Sequence, residues 1–480
     1  MPLSDWETVI GLEVHAQLLT ETKLFCGCSA AFGAAPNANT CPVCLAMPGV
    51  LPVLNARAVE FAIRAGLALD CQIRPKSVFA RKNYFYPDLP KGYQISQYDL
   101  PLCEHGKLTI DTAGGELTVR ILRIHMEEDA GKNVHDDAGG DSLVDLNRAG
   151  VPLIEIVSEP DLRNADDAAE YLRVLRDILV YLGVNDGNLE EGSFRCDANV
   201  SVRKKGATAL GQRTELKNIN SFRFVKQAIE YEVGRQVEVL EAGGRIHMET
   251  RLFDPVKGET RSMRSKEEAH DYRYFPEPDL PPLVVLTATV DALRKTLPEL
   301  PRPKQKRFME KMGLPLKDAR TLVGDRALAD YFEAAVAAYK GDAKKMANWC
   351  LGELLRLMKE DNVALAGVRI QPPQIAALAA LVDGGSVSNT AAKEAFAEMF
   401  RTGKDAATVV AEKGLAQVSD TSAVEAAIEK VLAANAGEVE KYRSGKTQVF
   451  GFLVGQVMKA MQGKGNPQVV NAVLKKKLEA

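Results

Sequence analysis

Three consecutive acidic residues, Glu127, Glu128 and Asp129, are the groups in this sequence best suited to chemistry. Adjacent carboxylates repel one another, so the run costs stability unless a cation lies among them. Hard divalent cations such as Mg²⁺ prefer oxygen ligands of this kind. A solvated acidic turn is the alternative interpretation, because most carboxylates on proteins are simply exposed. The metal-binding interpretation is favoured because similar polar groups recur before and after the run.

Those further groups lie on predicted strands. Between residues 9 and 18 apolar and polar side chains alternate, so Glu13 and His15 project from the same face of one strand. Asp197 lies on the polar face of a second alternating segment, and Glu215 begins a third polar segment. Each segment alone is also typical of the wet face of an antiparallel sheet. We therefore expect these residues on polar faces of one sheet system.

Four of the eight cysteines form two close pairs, Cys26 with Cys28 and Cys41 with Cys44, with twelve residues between the pairs. This is the spacing of a tetrahedral Cys₄ zinc site. Because four thiolates leave no open position, we expect such a zinc ion to be structural. Four thiols without a metal are the alternative. The other cysteines are interpreted as small buried hydrophobic residues.

Two segments, residues 81–98 and 271–279, interleave basic and aromatic side chains. Aromatic rings stack on nucleic-acid bases and basic side chains hold phosphate, so both segments could clasp a nucleotide or an RNA end. The alternative is a rigid loop of prolines and tyrosines packed on the sheet. The candidate contacts are Arg81, Tyr84, Tyr86, Arg273 and Tyr274.

The end of the chain is basic. From Lys441 onward there are eight Lys or Arg residues and one acidic residue, Glu479. Such a tail is either a solvated helix face or an electrostatic footprint for RNA, and the pattern leaves both interpretations open. The candidate RNA contacts are Lys441, Arg443, Lys446, Lys459 and Lys464.

Composition limits the class of protein. The chain has 480 residues, of which 46% are hydrophobic and 26% charged, which is typical of a globular protein of roughly two to four domains. No apolar stretch approaches the length of a membrane span, and the first residues lack the features of a signal peptide. We therefore expect a cytoplasmic protein with reduced thiols and no membrane partner. The sequence contains no phosphate-binding loop and no dinucleotide fingerprint. If the protein is an enzyme, we therefore expect its chemistry to be metal-assisted.

Two kinds of region position the candidate functional residues: a strand-rich first part of the chain and a helical later part. Short alternating strands, interrupted by predicted helices at about 56–69, 166–182 and 220–241, fill the first part of the chain. Seven of the 23 prolines fall between Pro276 and Pro303, and beyond them the pattern becomes helical and rich in alanine. We expect an α+β protein: a mainly antiparallel-sheet domain, an all-α helical domain and a small helical tail domain.

Taken together, the long motifs of this chain resemble one family, the B subunit of the aspartyl/glutamyl-tRNA(Asn/Gln) amidotransferase. The resemblance covers essentially the whole chain. The segments that carry it are residues 9–15, 81–88, 125–132, 153–161, 195–201, 215–222, 271–279 and 451–459.

The resemblance implies an activity. It implies an ATP-dependent carbon–nitrogen ligase that takes its amide nitrogen from glutamine and repairs misacylated tRNA. The B subunit would bind the tRNA and use ATP and Mg²⁺ to phosphorylate the side-chain carboxylate of the attached Glu or Asp. Ammonia released by its partner, the amidase or A subunit, would then displace phosphate, and the small C subunit would complete the heterotrimer.

The resemblance also implies residue roles and domain limits. The expected Mg²⁺ residues are Glu13, His15, Glu128, Asp197 and Glu215. Lys82, Lys91 and the run Glu127–Asp129 are expected at the phosphoryl-transfer pocket or at the mouth of an ammonia passage. The zinc cysteines Cys26, Cys28, Cys41 and Cys44 occur in only part of the family. The expected domains are a cradle at 1–292, a helical domain at 293–405 and a tRNA-binding tail at 406–480.

Two other functions remain open on the residues alone. A non-catalytic tRNA-binding adaptor would use the basic tail and the aromatic segments but would have no purpose for the acidic cluster. A self-contained ATP-dependent ligase that takes free ammonia would use the acidic cluster but would not need the basic tail.

Overall fold

The computed structural model describes residues 5–135, 142–265, 272–417, 421–461 and 464–479. These residues form two compact units, Met1–Leu300 and Pro301–Ala480. All sixteen strands of the described ranges belong to the first unit, whereas the elements of the second unit are helices. The expected α+β class, with a sheet domain followed by helical parts, is confirmed.

The strands of the first unit are short, apart from the long strands that carry the alternating segments. They are β1 (Trp6–Gln17), β2 (Gln72–Ile73), β3 (Lys76–Ser77), β4 (Phe79–Asn83), β5 (Tyr93–Gln97), β6 (Cys103–Thr112), β7 (Gly115–Glu128), β8 (Lys132–His135), β9 (Ser142–Asp145), β10 (Pro152–Ser158), β11 (Phe194–Lys204), β12 (Thr214–Lys217), β13 (Glu249–Asp254), β14 (Glu259–Ser265), β15 (Phe275–Pro276) and β16 (Leu283–Val284).

Nine of these strands form one large sheet with the order β14-β13-β12-β11-β1-β10-β7-β6-β2. All neighbours in it are antiparallel except β12 and β13, which are parallel. A second sheet has the order β15-β4-β5. The chain thus leaves the large sheet after β2, forms part of the small sheet, and returns through β6 and β7.

Four helices complete the first unit: α1 (Ala56–Ala68), α2 (Ala165–Tyr181), α3 (Phe222–Glu241) and α4 (Thr287–Lys295). Side-chain caps define where three of them begin. Asn55 caps α1, Asn164 caps α2 and Ser221 caps α3, each by accepting from backbone N–H groups of the first turn. Their apolar stripes bury one face of the large sheet in a single hydrophobic core. The opposite face of the central strands is therefore left for polar side chains.

The core face shows why β1 folds as it does. Ile10, Leu12, Val14 and Ala16 are all at most 1% exposed, while the residues between them are mostly half-buried. Alternation with a period of two sends every second side chain into the core and the others to the polar face. The sequence prediction for this strand is confirmed.

The second unit consists of helices α5 (Pro301–Met312), α6 (Leu316–Val323), α7 (Arg326–Ala338), α8 (Ala343–Asn348), α9 (Leu355–Glu360), α10 (Pro372–Asp383), α11 (Asn389–Thr402), α12 (Ala406–Glu412), α13 (Thr421–Ala434), α14 (Ala436–Arg443), α15 (Val449–Ala460) and α16 (Pro467–Glu479). A π-helical turn, Trp349–Leu354, joins α8 to α9, so these two helices form one continuous helix that is locally widened. A 3₁₀ turn covers Leu365–Gly367.

Two hydrophobic clusters lie within this second unit. The larger draws its residues from Phe308 to Val410, and the smaller draws them from Val424 to Leu478. Gly403 ends α11 with φ of +75°, a left-handed conformation that glycine adopts without steric cost. The predicted domain limits near 292 and 405 remain predictions. The first falls inside α4, and the second falls just before α12.

Within the described residues, no helix combines the length and the apolar character that crossing a bilayer requires.

The hydroxyl of Tyr171 provides a test of the core. This side chain of α2 is fully buried, and among the described protein atoms its hydroxyl has no hydrogen-bond partner. An unpaired buried hydroxyl costs about 1–3 kcal/mol, so we expect Tyr171→Phe to raise the free energy of unfolding by about 1 kcal/mol. Tyr331→Phe is the matched control, because the Tyr331 hydroxyl donates to the Ile370 carbonyl at 2.7 Å. Calorimetry should show opposite shifts, and a less stable Tyr171→Phe protein would contradict the structure.

Candidate functional site

The polar face of the large sheet is organised by strand register. β1 lies between β11 and β10 and is antiparallel to both. His15 of β1 lies opposite Arg195 of β11 on one side and opposite Glu155 of β10 on the other, and Glu155 lies opposite His125 of β7. Directly opposite residues have Cβ atoms about 4.5–5.5 Å apart. One row across four strands therefore brings together two histidines, an acid and an arginine.

Two neighbouring rows hold three of the predicted acidic residues. Glu13 lies opposite Asp197 in one row, and Glu215 of β12 lies opposite Asn199 in the next. The Asn199 amide donates to Glu13 at 2.8 Å, and the Lys217 ammonium contacts Asp197 at 2.5 Å and Glu215 at 3.3 Å. Burial and then the charges of the surrounding carboxylates raise the pKa of Glu13 above its ordinary value. The structure thus brings Glu13, Asp197 and Glu215 together.

Where the first row meets the end of β7, three side chains converge. The Nε2 atom of His15 lies 3.3 Å from Glu155 and 3.6 Å from Glu127, and potential ligand atoms of all three residues lie within 4.8 Å of one another. Glu127 is 2% exposed and Glu155 is 8% exposed. His125 lies 3.7 Å from Glu127 and 3.5 Å from Glu155. We call His15, Glu127 and Glu155 the metal triad.

The charges of the triad depend on one another. Burial alone would lower the pKa of His15, but its hydrogen bond with Glu155 and the nearby carboxylates raise it to about 9. Burial would raise the pKa of both acids, yet the neighbouring histidines hold both below their ordinary values. A metal ligand must be the neutral imidazole, so a divalent cation bound here would displace the proton of His15. Two ionised carboxylates and that imidazole, converging on one point, are donors that suit such a cation. The residues present therefore fit a metal ion that one or two carboxylates hold.

Lys82 of β4 lies beside this triad. Burial would lower the pKa of Lys82, but the charges of Glu127 and then Tyr274 and Glu155 raise it above the ordinary value. Its ammonium also lies 5.2 Å from the centre of the Tyr272 ring. The structure therefore places a cation of the small sheet next to the acids of the large one, as the predicted role of Lys82 in phosphoryl transfer requires.

The two predicted aromatic segments pack against each other. β15 pairs with β4, the ring of Tyr84 meets that of Tyr272 edge-on at 6.2 Å, and Tyr274 stacks on Tyr98 with centroids 4.1 Å apart. Asp271, the first residue of the second segment, lies outside the described residues. Tyr86 is 55% exposed. Arg273 is exposed as well, with φ of +44°.

Arg81 is held by acids of its own chain. Its Nε and Nη2 atoms each donate to Glu277 at 2.7 Å, and Nη2 also contacts Asp279 at 3.2 Å. The Glu277 side chain is 1% exposed. The guanidinium also lies over the ring of Tyr93, at 4.3 Å. Arg81 thus fastens the segment around Glu277 to β4, and this contact uses the donors that its predicted phosphate contact would need.

Glu128 lies apart from the triad, although it follows Glu127 directly. Successive side chains of a strand point to opposite faces, and Glu128 accepts from the backbone N–H of Ile95 at 2.9 Å and pairs with Lys91 at 2.5 Å. Both Lys91 and Glu128 line a cavity of about 220 Å³ that also touches Cys26 and Cys44. The structure thus joins Glu128 to Lys91 rather than to the other expected Mg²⁺ residues.

The four paired cysteines converge. The Sγ atoms of Cys26, Cys28, Cys41 and Cys44 lie within 4.8 Å of one another, and those of Cys41 and Cys44 are 3.9 Å apart. A tetrahedron of sulfurs about 2.3 Å from a zinc ion has edges of roughly 3.8 Å. The arrangement therefore fits a zinc ion.

A buried lysine adjoins this cysteine cluster. Lys23 is 0% exposed, and its ammonium donates to Cys44 Sγ at 3.6 Å and to the Leu146 carbonyl at 3.1 Å. The thiol of Cys26 and the charge of Lys23 help to hold the pKa of Cys44 well below its usual range. A positive charge at this place would offset part of the negative charge of four thiolates.

Asp129 follows β7 and is 4% exposed. Its carboxylate accepts from Gln17 at 2.7 Å and from Arg195 at 2.8 Å, and it lies 3.7 Å from Arg148. Burial would raise the pKa of Asp129, but the two guanidinium groups lower it. These contacts hold Asp129 next to Arg195, the member of the first row that lies on β11.

The five basic residues predicted to contact tRNA, Lys441, Arg443, Lys446, Lys459 and Lys464, are all exposed. Lys441 forms an ion pair with Glu438 at 2.6 Å, and Arg443 donates to the Leu478 carbonyl at 3.3 Å. Both contacts leave further N–H groups of these side chains for other partners.

Sequence reasoning missed several residues of the site. Glu155 and His125 were not assigned, although Glu155 is a single acid within an otherwise apolar strand and such an isolated charge is a usable signal. Arg195 and Lys217 are not predicted as site residues either. Their importance depends on the register between strands that are far apart in the sequence.

The pair formed by Arg81 and Glu277 makes a prediction about stability. Removing one partner of a buried ion pair leaves the other charge uncompensated, so we expect Glu277→Gln to lower the free energy of unfolding by about 3 kcal/mol. The double variant Arg81→Met with Glu277→Met leaves neither charge and should lose clearly less. Urea unfolding of the three proteins measures this. Equal losses in the single and double variants would show that the pair is not coupled.

Comparison with known proteins gives the family of this chain. Residues 8–291 match the family model described as the GatB/GatE catalytic domain, and residues 330–478 match the one described as the GatB domain. The chain is 69% identical over 478 residues to the aspartyl/glutamyl-tRNA(Asn/Gln) amidotransferase B subunit of Myxococcus xanthus, a match that covers all of both chains. The protein of the same name from Anaeromyxobacter dehalogenans is 64% identical, again over the whole of both chains, and that of Geotalea uraniireducens is 60% identical over 98% of this chain and 99% of its own. The chain therefore belongs to the family of aspartyl/glutamyl-tRNA(Asn/Gln) amidotransferase B subunits.

Proposed function

We propose that this chain is the B subunit of a tRNA-dependent amidotransferase in the cytoplasm. On its polar sheet face it phosphorylates the side-chain carboxylate of Glu or Asp attached to the wrong tRNA. The observation that carries this proposal is the convergence of His15, Glu127 and Glu155 beside Lys82. The names of the relatives support the tRNA substrate, and the family is that of an ATP-dependent ligase.

The reaction needs an activated carboxylate, because a carboxylate ion is a poor electrophile. The ionised side-chain oxygen of the substrate attacks the γ-phosphorus of ATP, the bond from that phosphorus to the ADP oxygen breaks, and an acyl phosphate forms. Ammonia then attacks the acyl carbon, and phosphate leaves with the bonding electron pair. The amide and inorganic phosphate are the products. Lys82 lies where its ammonium can attract the oxygens of the moving phosphoryl group.

The metal triad would hold Mg²⁺ for this step. Mg²⁺ is commonly bound through one or two carboxylates together with substrate phosphates, and Glu127 and Glu155 with His15 offer such a donor set. When bound, the ion neutralises charge on the phosphoryl group. Glu13, Asp197 and Glu215, in two neighbouring rows, form an adjacent acidic group that would keep further cations near the nucleotide.

The polar face continues into a space large enough for part of the nucleotide. Next to Glu13, a cavity of about 450 Å³ is lined by Gly11, Asn199, Ser201 and the loop that contains Arg213. Gly11 has no side chain to fill this cavity, and the uncharged polar side chains of Asn199 and Ser201 suit an aromatic base and a sugar. We place the nucleoside of ATP in this cavity.

Ammonia would come from partner proteins. The amidase, or A subunit, would release it from glutamine, and the small C subunit would complete the complex. The metal triad offers no nucleophile for glutamine hydrolysis, and the thiolates of the cysteine cluster, once held on a zinc ion, would not be free to attack glutamine. The cavity bordered by Glu128 and Lys91 lies behind β7, on the side opposite the triad, and would lie on the path by which ammonia enters.

The helical end of the chain would bind the tRNA. Lys441, Arg443, Lys446, Lys459 and Lys464 expose positive charge in α14, α15 and the segments that follow them. Each phosphate that they neutralise releases counterions, so affinity for tRNA would fall as salt rises. Arg273 and Tyr86, on the surface of the first unit, would contact the aminoacyl end, beside Tyr84 and Tyr274.

The cysteine cluster would hold one structural zinc ion. The Sγ distance of 3.9 Å and the adjoining ammonium of Lys23 support this assignment. Metal binding by four thiolates stabilises the segment that contains them, which otherwise has little regular secondary structure.

The metal triad is tested by an isosteric change. Glu127→Gln keeps the shape of the side chain but removes the charge that binds a cation, so we expect ATP cleavage dependent on misacylated tRNA to fall on the order of 100-fold or more. Glu116→Gln, at the exposed start of the same strand, is the matched control and should keep the parent rate. Both are measured in the assembled complex. Full activity of Glu127→Gln would exclude the triad, and a parent complex without ATP cleavage would favour the adaptor.

The zinc assignment is tested by elemental analysis. The parent protein, purified without chelators and under reducing conditions, should contain close to one zinc ion per chain. Cys41→Ser should contain clearly less, whereas Cys350→Ser, which changes a buried thiol of the second unit, should match the parent. A parent protein free of zinc would end the assignment.

A further inference from the structure

Arg195 lies directly beside the metal triad. It is on β11 opposite His15, in the row that continues to Glu155. Its side chain is 35% exposed, so it lies at the opening of the polar face and not in the core. A long cationic side chain at this position reaches any anion that the triad binds through a metal.

Asp129 determines where the guanidinium of Arg195 lies. The Nη2 atom donates to the Asp129 carboxylate at 2.8 Å. That carboxylate is itself fixed by the Gln17 amide at 2.7 Å and by the first backbone N–H after it at 2.9 Å. A guanidinium is a rigid plane, so fixing one nitrogen also fixes the direction of the others.

The arrangement leaves hydrogen-bonding capacity unused. Among the described protein atoms, the Nε of Arg195 is buried and has no acceptor. A buried N–H without an acceptor costs free energy, unlike one that faces water or an oxygen of a ligand. Arg148, the other cation near Asp129, differs because it donates to the carbonyls of Ala130 and Gly131 at 2.9 and 2.6 Å. Arg195 thus carries a buried N–H group that has no acceptor among the described protein atoms, and its guanidinium has further N–H groups that a ligand could use.

The surrounding acids keep Arg195 in its charged form, which can bind an anion. Burial would lower the pKa of Arg195, but the charges of Asp129 and then of Glu127 and Asp197 raise it. The planar fork of arginine matches oxygens that share one centre, and such bonds are stronger when both partners are charged. Arg195 is not needed merely to neutralise Asp129, because Arg148 already lies 3.7 Å from the same carboxylate.

We infer that Arg195 contacts the oxygens of the phosphoryl group as it passes from ATP to the substrate carboxylate, and that Asp129 is the residue that positions Arg195. The inference rests on the proposed phosphorylation above. Arg195 keeps all its protons throughout. The bond from the γ-phosphorus to ADP breaks while the bond to the carboxylate oxygen forms, and the guanidinium stabilises charge on the phosphoryl oxygens that take part in neither bond.

Four variants of the assembled complex test this inference: Arg195→Gln, Arg195→Lys, Asp129→Asn and, as a control, Arg203→Gln. Arg203 lies on the same face of the same strand and also pairs with an acid, Glu7, at 2.5 Å. Loss of a donor that acts in the transition state lowers kcat about 100- to 1,000-fold. We expect a fall of this size for Arg195→Gln, with the KM for misacylated tRNA unchanged. Arg203→Gln should keep the parent kcat.

A second measurement does not depend on turnover. The shift of the melting temperature is recorded with Mg²⁺ and ADP alone, and again after adding aluminium fluoride, which mimics a phosphoryl group in transfer. In the parent complex, aluminium fluoride should add to the shift given by ADP. Arg195→Gln and Arg195→Lys should keep the ADP shift and lose the added part, and Arg195→Lys covers the case in which the glutamine variant does not fold.

The outcomes are separable. A full added shift together with a kcat within threefold of the parent in Arg195→Gln would overturn the inference. Loss of the added shift in Arg195→Gln but not in Asp129→Asn would overturn the positioning role of Asp129 alone. A parent complex that cleaves no ATP with misacylated tRNA would instead overturn the proposed function.

Discussion

The site depends on the antiparallel register of β1 with its two neighbours. Because side chains alternate between faces, the pairing of His15 with Glu155 on one side and Arg195 on the other is a single geometric condition. A slip of β1 by one residue would turn His15 into the core and bring Val14 or Ala16 to the polar face. The four apolar residues that β1 buries among the helices resist that slip, since each would lose its burial. The hydrophobic core therefore sets the chemistry on the opposite face.

The same register explains how so many carboxylates can lie side by side. Like charges a few ångströms apart raise one another's pKa, and burial adds to the effect. The structure offsets this with basic groups placed in alternation: His15 and His125 beside Glu127 and Glu155, Lys217 between Asp197 and Glu215, and the guanidinium groups beside Asp129. Glu13 is the exception, as its pKa is raised and its hydrogen-bond donor is the neutral amide of Asn199. A bound cation would complete the compensation at that acid.

Much of the fold could be predicted from the sequence, because its signals are local. The alternation of β1 and β11 and the helices predicted at about 56–69, 166–182 and 220–241 each depend on neighbouring residues, and the structure agrees with them. The site was harder to predict for a physical reason. Glu127 and Glu128 are chemically equivalent in the sequence, and only the pleat of β7 sends one toward His15 and the other toward Lys91. Glu155 stands out in the sequence as a single acid in an apolar strand, but its contact with His15 depends on the position of β10 between β1 and β7. Short strands such as β4 and β15 also escaped prediction, since five residues or fewer carry too little periodicity.

Glu127 and Glu128, at the end of β7, face different sites, and this bears on the order of phosphorylation and amidation. Glu127 belongs to the face where ATP and the substrate carboxylate would meet, while Glu128 borders the cavity beside the cysteine cluster. Both acids are carried by one strand end and are adjacent residues, so a shift of the backbone at the end of β7 would move both carboxylates. Under the proposed function, the protein would make an unstable acyl phosphate on one side of this strand and admit ammonia on the other, and such a link would couple the two steps. Ammonia that arrived before activation would find no electrophile, and an acyl phosphate without ammonia would be lost to water. The site around Glu127 and the ion pair of Glu128 with Lys91 would thus be joined by a single peptide bond, which is the shortest connection that the chain can make between the places of the two steps.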